Sequence, residues 1–243
     1  MLDGIRVLDL TRMLAGPYAT MLLADLGAEV IKIEPPEGDE IRRMGPPFVN
    51  GESAYFLAIN RNKKSLSLDL RTPEGLAAFL RLAAKADIVI DNFRPGVMER
   101  LGIGHDRLRE LSPSLVLCSI SSFGEAGPMR DLPAFDLVVQ AWSGAMSLTG
   151  EPGAPPSRLG VPLGDLAGGS YAALAIAAAL VRRGRTGRGE RIELSLLDCL
   201  TAMHTYVAQY HFADGRTPGP QGSRHMSVVP YGAFPTRDGW LAI

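Results

Sequence analysis

Residues 5–33 read IRVLDLTRMLAGPYATMLLADLGAEVIKI. Ile5 to Leu10 is a short apolar run suited to a buried strand, and Tyr18 to Leu26 carries a helical pattern. Gly27 stops that helix, and Glu29 to Ile33 is a second strand rich in β-branched residues. Working outward, Pro35 and Pro36 end regular structure and open a polar loop to about Asn62. Leu66 to Leu70 is strand-like. Thr72-Pro73-Glu74 is a helix start, with a hydroxyl N-cap, proline at the first helical position and an acid in the first turn. The helix that follows places Leu76, Phe79, Leu80 and Leu82 on one side. Ile88 to Ile90 and Leu115 to Ile120 are further strands, with short helices between them. Strands and helices alternating at this spacing predict an α/β fold with a largely parallel sheet.

Beyond Pro133 the texture changes. Leu137 to Leu148 reads as helical, and Gly150 to Pro162 as a glycine- and proline-rich loop. Gly168 to Arg183 is a helix whose glycines and alanines permit close backbone approach. Arg182 to Gly189 is a basic turn, Ile192 to Leu194 a strand, and Leu196 to Phe212 another helix. Trp240 to Ile243 reads as an apolar strand on which the chain stops, the pattern of a chain cut short.

Composition narrows the function classes. With 243 residues, 46% of them hydrophobic, the chain can bury a substantial core. Its net charge of −1 creates no global field for nucleic acid or an anionic membrane. The longest apolar stretch, Tyr171 to Val181, is mostly alanine and about half a membrane span. No signal peptide is expected before Ile5. Cys118 and Cys199 lack metal-ligand spacing and read as buried free thiols of a reducing compartment. These features together predict a soluble cytoplasmic protein with no nucleic-acid or membrane partner.

The four histidines, His105, His204, His211 and His225, have no spacing that assembles a metal site, so none is expected. There is no GxSxG elbow and no P-loop. Thr11 to Gly16, after the first strand, lacks the GxGxxG that seats a dinucleotide pyrophosphate. Gly164-Asp165 stands just before the small-residue helix. Asp165 reads either as a cap for a helix beginning near Leu166 or as an ionised nucleophile favoured by the helix N-terminus and able to attack a thioester. Asn60-Arg61-Asn62-Lys63-Lys64 and Asn92-Phe93-Arg94-Pro95 through Arg100 stand beside expected strand ends. Their charges suit phosphates and Phe93 suits a base, although ordinary solvated charge accounts for each segment taken alone.

Several long motifs in order resemble the family III CoA transferases, the superfamily of formyl-CoA transferase, carnitine CoA-transferase and acyl-CoA racemase. They are Leu8 to Thr11, Leu14 to Pro17, Leu23 to Glu34, Asn60 to Ser65, Leu68 to Leu70, Asp91 to Gly96 and Arg100 to Gly102. Gly164-Asp165, Thr186 to Gly189 and Leu196 to Asp198 continue the likeness along essentially the whole chain. The resemblance implies that residues 1–200 form a Rossmann-like, CoA-binding and catalytic domain, a mostly parallel sheet with flanking helices. Residues 201–243 would be a linker helix and the start of a smaller α+β domain. It also implies a longer parent, an interlocked homodimer, and no tightly bound cofactor, with acyl-CoA and a carboxylic acid acceptor as substrates. Asp165 is the implied catalytic aspartate, forming a mixed anhydride and then an aspartyl-CoA thioester. Implied CoA contacts are Leu14, Ala15, Asn60, Arg61, Asn62, Lys63, Asn92, Phe93, Arg94, Arg100, Pro133, Ala134, Phe135 and Asp136, with Arg100 and Lys63 addressing phosphates. Backbone N–H groups near Leu14 and Ala15 would steady an oxyanion.

Departures from the pattern separate the family's activities. Formyl-CoA transferases have glutamine at Leu14, lysine at Pro133 and an aromatic hydroxyl at Phe135, and a glycine-rich loop near Gln221 to His225, so formyl and oxalate specificity is disfavoured. The family's racemases place a histidine where Phe135 precedes Asp136; phenylalanine moves no proton, which disfavours racemisation. A CoA-binding chain without turnover is the remaining alternative.

Overall fold

The computed structural model describes residues 1–243. Its first half contains β1 (Arg6–Asp9), α1 (Ala15–Asp25), β2 (Glu29–Glu34), β3 (Phe48–Val49), β4 (Glu52–Ser53), α2 (Ala54–Ile59) and β5 (Lys63–Ser67). There follow α3 (Pro73–Ala83), β6 (Ile88–Asp91), α4 (Val97–Arg100), α5 (His105–Leu111) and β7 (Val116–Ser121). The rest comprises α6 (Asp136–Trp142), α7 (Ala145–Leu148), α8 (Leu163–Thr186), β8 (Arg191–Ser195), α9 (Leu196–Ala202), α10 (Thr205–Asp214), β9 (Ala233–Pro235) and β10 (Trp240–Ala242).

Six strands form one all-parallel sheet in the order β5-β2-β1-β6-β7-β8. Numbered by their own sequence, these strands run 3-2-1-4-5-6, the Rossmann order expected. Both faces are covered, which is why the central strands β1, β6 and β7 are mostly apolar, while the edge strands β5 and β8 carry polar and charged residues. Val7, Ile88, Ile90, Val116, Cys118 and Ile120 point toward α1 and α8. The alternate residues Leu8, Val89 and Leu117 point toward Phe79 of α3 and Leu108 of α5. Phe79 is fully buried, as its place on the α3 stripe predicts, and contributes about 2–3 kcal/mol by area removed from water.

Sequence and structure agree best where a cap defines an element. Thr72 accepts a hydrogen bond from Gly75 N–H at 3.1 Å and starts α3 as expected. The expected helix from Leu137 to Leu148 is interrupted at Gly144, whose φ of +88° lies in the left-handed region. The expected helix from Leu196 to Phe212 likewise breaks between α9 and α10. The loop between Pro35 and Asn62 contains the β3–β4 hairpin and α2, where Ser53 accepts from Phe56 N–H. The strand that sequence places at Leu66 starts three residues sooner, at Lys63. Trp240 to Ala242 pairs antiparallel with Ala233 to Pro235.

α8 is longer than its apolar stretch suggests. At 24 residues it is long and apolar enough to cross a membrane, but here it packs among α1, α6, α9 and β7. Glycines set how closely it packs. A Cβ on Gly169 would fall 2.6 Å from the Ala15 carbonyl oxygen, a backbone atom of α1. Gly169→Ala is therefore expected to cost about 1–3 kcal/mol and to push α1 away from α8. Denaturant unfolding at constant m checks this, and a loss below about 0.5 kcal/mol would mean that the helices are free to separate.

Candidate active site

The strand order reverses between the paired strands β1 and β6, and ligands of open α/β sheets bind at the carboxyl ends of strands at such a point. A cleft of about 1310 Å³ opens there. Its walls come from Arg12 to Ala15 after β1, Glu34 and Pro35 at the end of β2, Leu68 to Arg71 after β5, and Asn92 to Pro95 after β6. Pro133 to Asp136, Tyr55, Arg158 and Asp165 also line it.

Asp165 lies in the first turn of α8, which begins at Leu163, ahead of the start near Leu166 that sequence indicates. The reading of Asp165 as the helix cap is therefore corrected. The cap is Asp136 of α6, whose Oδ1 accepts from Gly164 N–H at 2.8 Å and from Asp165 N–H at 3.3 Å. The Asp165 carboxylate makes no hydrogen bond or ion pair and belongs to the cleft wall. Burial, with the Asp136 charge adding to it, pushes its pKa up to about 7. Tyr55 shares the environment; burial and then the Asp165 charge push its phenol up to about 12.

The β1–α1 loop is held from below. Thr11 donates through both N–H and Oγ1 to the buried Asp9, at 2.9 and 2.5 Å. Thr20 adds a hydroxyl at 2.6 Å, and the Lys63 ammonium stands 3.1 Å away. Lys32, also buried, bridges the Thr11 carbonyl and Asp39, each at 2.8 Å. Met13, next along, takes a left-handed φ of +63°, a conformation costly for a side chain and sustained by these anchors. Asn92 grips the same loop, accepting from Arg12 N–H at 2.8 Å and donating to the Arg12 carbonyl at 2.7 Å. Leu14 and Ala15, at the start of α1, line the cleft, and the first N–H groups of the helix have no partner within the helix.

Of the residues singled out from sequence, Leu14, Ala15, Asn92, Phe93, Arg94, Pro133, Ala134, Phe135, Asp136 and Asp165 line this cleft. Five do not. Lys63 is turned inward to Asp9 and the Pro17 carbonyl, so its ammonium is not free for a phosphate. Asn60 is buried against Lys63 and the Phe56 carbonyl. Arg61 and Asn62 reach Asp25 at the end of α1, at 3.1 and 2.8 Å. Arg100 is exposed on α4, whose inward residue is Met98. For the Asn60–Lys63 segment the cause is the three-residue offset of β5. These residues lie at the strand's amino end, and the cleft takes the residues after its carboxyl end.

Arg71 is what that offset conceals. It follows β5, lines the cleft and pairs with Asp69 at 2.8 Å. Arg12, 5.6 Å over the Phe93 ring, and Arg158 also line it, as does Tyr55. Arg12 is recoverable from its position directly after the first strand; Tyr55 and Arg158 carry no local signal. Cys118 and Cys199 are buried and unbonded, and burial raises both thiols. No cluster of three metal-ligating side chains exists.

The sequence and the fold are similar to those of known proteins. The model of CoA-transferase family III matches residues 2–243. The chain is 45% identical over 243 residues to the succinyl-CoA:glutarate CoA-transferase of Mus musculus, covering 100% of this chain and 56% of that protein. It is 44% identical over 238 residues to the acetyl-CoA:oxalate CoA-transferase of Acetobacter aceti, covering 97% and 61%. A crystal structure of a CAIB/BAIF family protein from Brucella suis superposes with a TM-score of 0.95 at 42% identity, over 100% of this chain and 65% of that one. The chain thus spans somewhat over half the length of the curated relatives it matches.

Proposed function

The chain belongs to CoA-transferase family III, and on that premise we propose that it moves coenzyme A from an acyl-CoA to a free carboxylic acid through covalent intermediates on Asp165. The observation that carries this reading is the Asp165 carboxylate: unpaired, partly buried and part of the cleft wall at the point where the strand order reverses. Withholding solvent and hydrogen bonds from a carboxylate keeps its electron pairs available for attack.

In the proposed sequence an Asp165 oxygen attacks the thioester carbonyl carbon. The new C–O bond forms, the C–S bond breaks, and CoA remains bound as thiolate beside an aspartyl mixed anhydride. The thiolate then attacks the aspartyl carbonyl carbon, giving an aspartyl-CoA thioester and releasing the donor carboxylate. The acceptor carboxylate attacks that thioester, forming a second anhydride and regenerating the thiolate. Thiolate attack on the acceptor's carbonyl carbon yields the new acyl-CoA and frees Asp165. No proton is consumed, so no second acid or base is required, in keeping with Phe135 before Asp136. N–H groups at Leu14 and Ala15 are suited to the oxyanion of each addition.

In this reading Arg12, Arg71 and Arg94 address the CoA phosphates, and Phe93 offers a ring face to the base. Arg158 makes no ion pair in the chain and is suited to a second carboxylate on the acceptor. The relatives are named for succinyl-CoA, glutarate and oxalate, and we take a short dicarboxylic acid as the acceptor class. The exposed apolar residues Leu174, Val181 and Phe212 on α8 and α10 support self-association as part of the same proposal.

Intact-mass analysis after incubation with a panel of acyl-CoAs, followed by hydroxylamine trapping, tests the chemistry. The expected result is a hydroxamate at Asp165. CoA binding with no adduct from any donor would replace the proposal with binding without turnover.

A further inference from the structure

The amino end of α8 is capped from outside its own segment. Pro162, at the N-cap position, contributes no side-chain bond. The Asp136 carboxylate, on a different helix and nearly buried, takes the N–H groups of Gly164 and Asp165 on a single oxygen. Its other oxygen accepts from Gln140 Nε2 at 2.7 Å. Gln140 is itself fully buried and accepts from Leu159 N–H at 2.8 Å through Oε1. Hydrogen-bond direction is thereby fixed along the chain: Leu159 N–H donates to Gln140, which donates to Asp136, which accepts from the start of α8. Turning the Gln140 amide over would set donor against donor at Leu159 and acceptor against acceptor at Asp136.

Gly164 belongs to this arrangement. A Cβ there would fall 3.0 Å from Asp136 Oδ1 and 3.1 Å from Val139, so a side chain would crowd the seat of the cap. An aspartate in the first turn of a helix ordinarily meets free N–H groups and folds back onto them. Here those donors are already occupied.

We infer that Asp136 is a positioning residue: a surrogate cap, locked by Gln140, that occupies the free N–H groups of α8 and so leaves the Asp165 carboxylate unbonded in the cleft. This rests on the reading of Asp165 as the acyl carrier. The role differs from the CoA contact that family resemblance implies for Asp136, because both of its oxygens are engaged within the protein. The titratable groups that bear on Asp165 are Asp136 from α6 and Tyr55 from α2.

The test uses Asp136→Ala, Asp136→Asn and Gln140→Leu in the full chain. Asp136→Ala frees the donors, and Asp165 turns back to cap its own helix. Acyl transfer to Asp165 then falls about 100-fold in kcat, with KM for acyl-CoA within about threefold of the parent. Asp136→Asn keeps the volume and one acceptor oxygen, and loses about tenfold. Gln140→Leu, which leaves the cap but not its lock, falls between them.

A second readout needs no turnover. In ¹³C-carboxyl titration with labelled aspartate, the Asp165 midpoint moves down by about one to two pH units in Asp136→Asn, where the like charge and the Gln140 hydrogen bond are gone but the capping oxygen stays. It moves further in Asp136→Ala, where Asp165 gains its own N–H partners. Equal shifts in the two variants would overturn the inference, reducing Asp136 to a nearby charge. A raised KM with unchanged kcat would also overturn it, making Asp136 a substrate contact. If the parent forms no adduct with any acyl-CoA, the functional reading fails, while the titration still decides the cap. If Asp136→Ala does not fold, the titration and kcat of Gln140→Leu decide it, and parental values for both would overturn the inference.

Discussion

Asp165→Asn is expected to lose acyl transfer by on the order of 10⁴-fold or more and, above pH 7, to be more stable than the parent. The two effects have one cause. Burial and the Asp136 charge raise the Asp165 pKa from its ordinary 3.8 to about 7. The folded chain therefore prefers this group protonated. Its favourable contribution is fully present below the unfolded pKa and is lost as pH rises through the folded one. By pH 8 the parent carries an ionised, unpaired carboxylate in a partly buried site, at a cost of about 2–4 kcal/mol. An amide of the same shape avoids the charge. The difference in stability should be near zero below pH 4, grow across the interval to pH 7, and then level off. Urea unfolding of both proteins at several pH values measures it. A difference independent of pH would show that Asp165 is not held in its charged form against its surroundings. Disposal of an expensive charge with loss of activity is the exchange expected of a preorganised site.

Lys63→Met is the second change with a large expected effect, on stability first. Lys63 and Asp9 are both buried, 2% and 0% exposed in their side chains, with 3.1 Å between Nζ and Oδ2. Burial alone would raise the Asp9 carboxyl. The ammonium groups of Lys63 and Lys32, with the Thr11 and Thr20 hydroxyls, more than offset it and hold the group below its ordinary value. Removing one partner leaves a buried charge without compensation, at about 3–5 kcal/mol. The loss extends beyond the pair, because Asp9 anchors Thr11 through two hydrogen bonds and Thr11 opens the loop that forms the cleft wall. Asp9 contributes its stability above its unfolded pKa and loses it as pH falls through the lower folded value. The gap between parent and variant should therefore narrow below pH 4. A cost under about 1 kcal/mol at pH 7 would mean that water or Lys32 supplies the missing charge.

Much of the molecule is legible in the amino-acid sequence. The mostly apolar runs at Val7–Leu8, Val30–Ile33, Ile88–Ile90 and Val116–Ile120 are strands because a strand covered on both faces buries apolar side chains on each of them. Thr72-Pro73 begins a helix because a hydroxyl, a fixed φ and a missing N–H act within one turn of chain. Gly164-Asp165 stands out as a candidate because of its place before a small-residue helix and its match to a family motif. The α/β class and the candidate nucleophile both follow from these local features.

Where charged and polar side chains point is decided by partners far away in the chain. Lys63, expected at a phosphate, instead meets Asp9, 54 residues before it. Asp165 reads locally as a cap, yet the cap is Asp136, 28 residues from Gly164. Arg71, Tyr55 and Arg158 join one cleft from three separate segments. Burying an apolar side chain requires only that some core lie on its side of the chain, so local periodicity predicts it. Burying a charge requires a particular partner at hydrogen-bond distance, and which partner arrives depends on how the helices and the sheet pack.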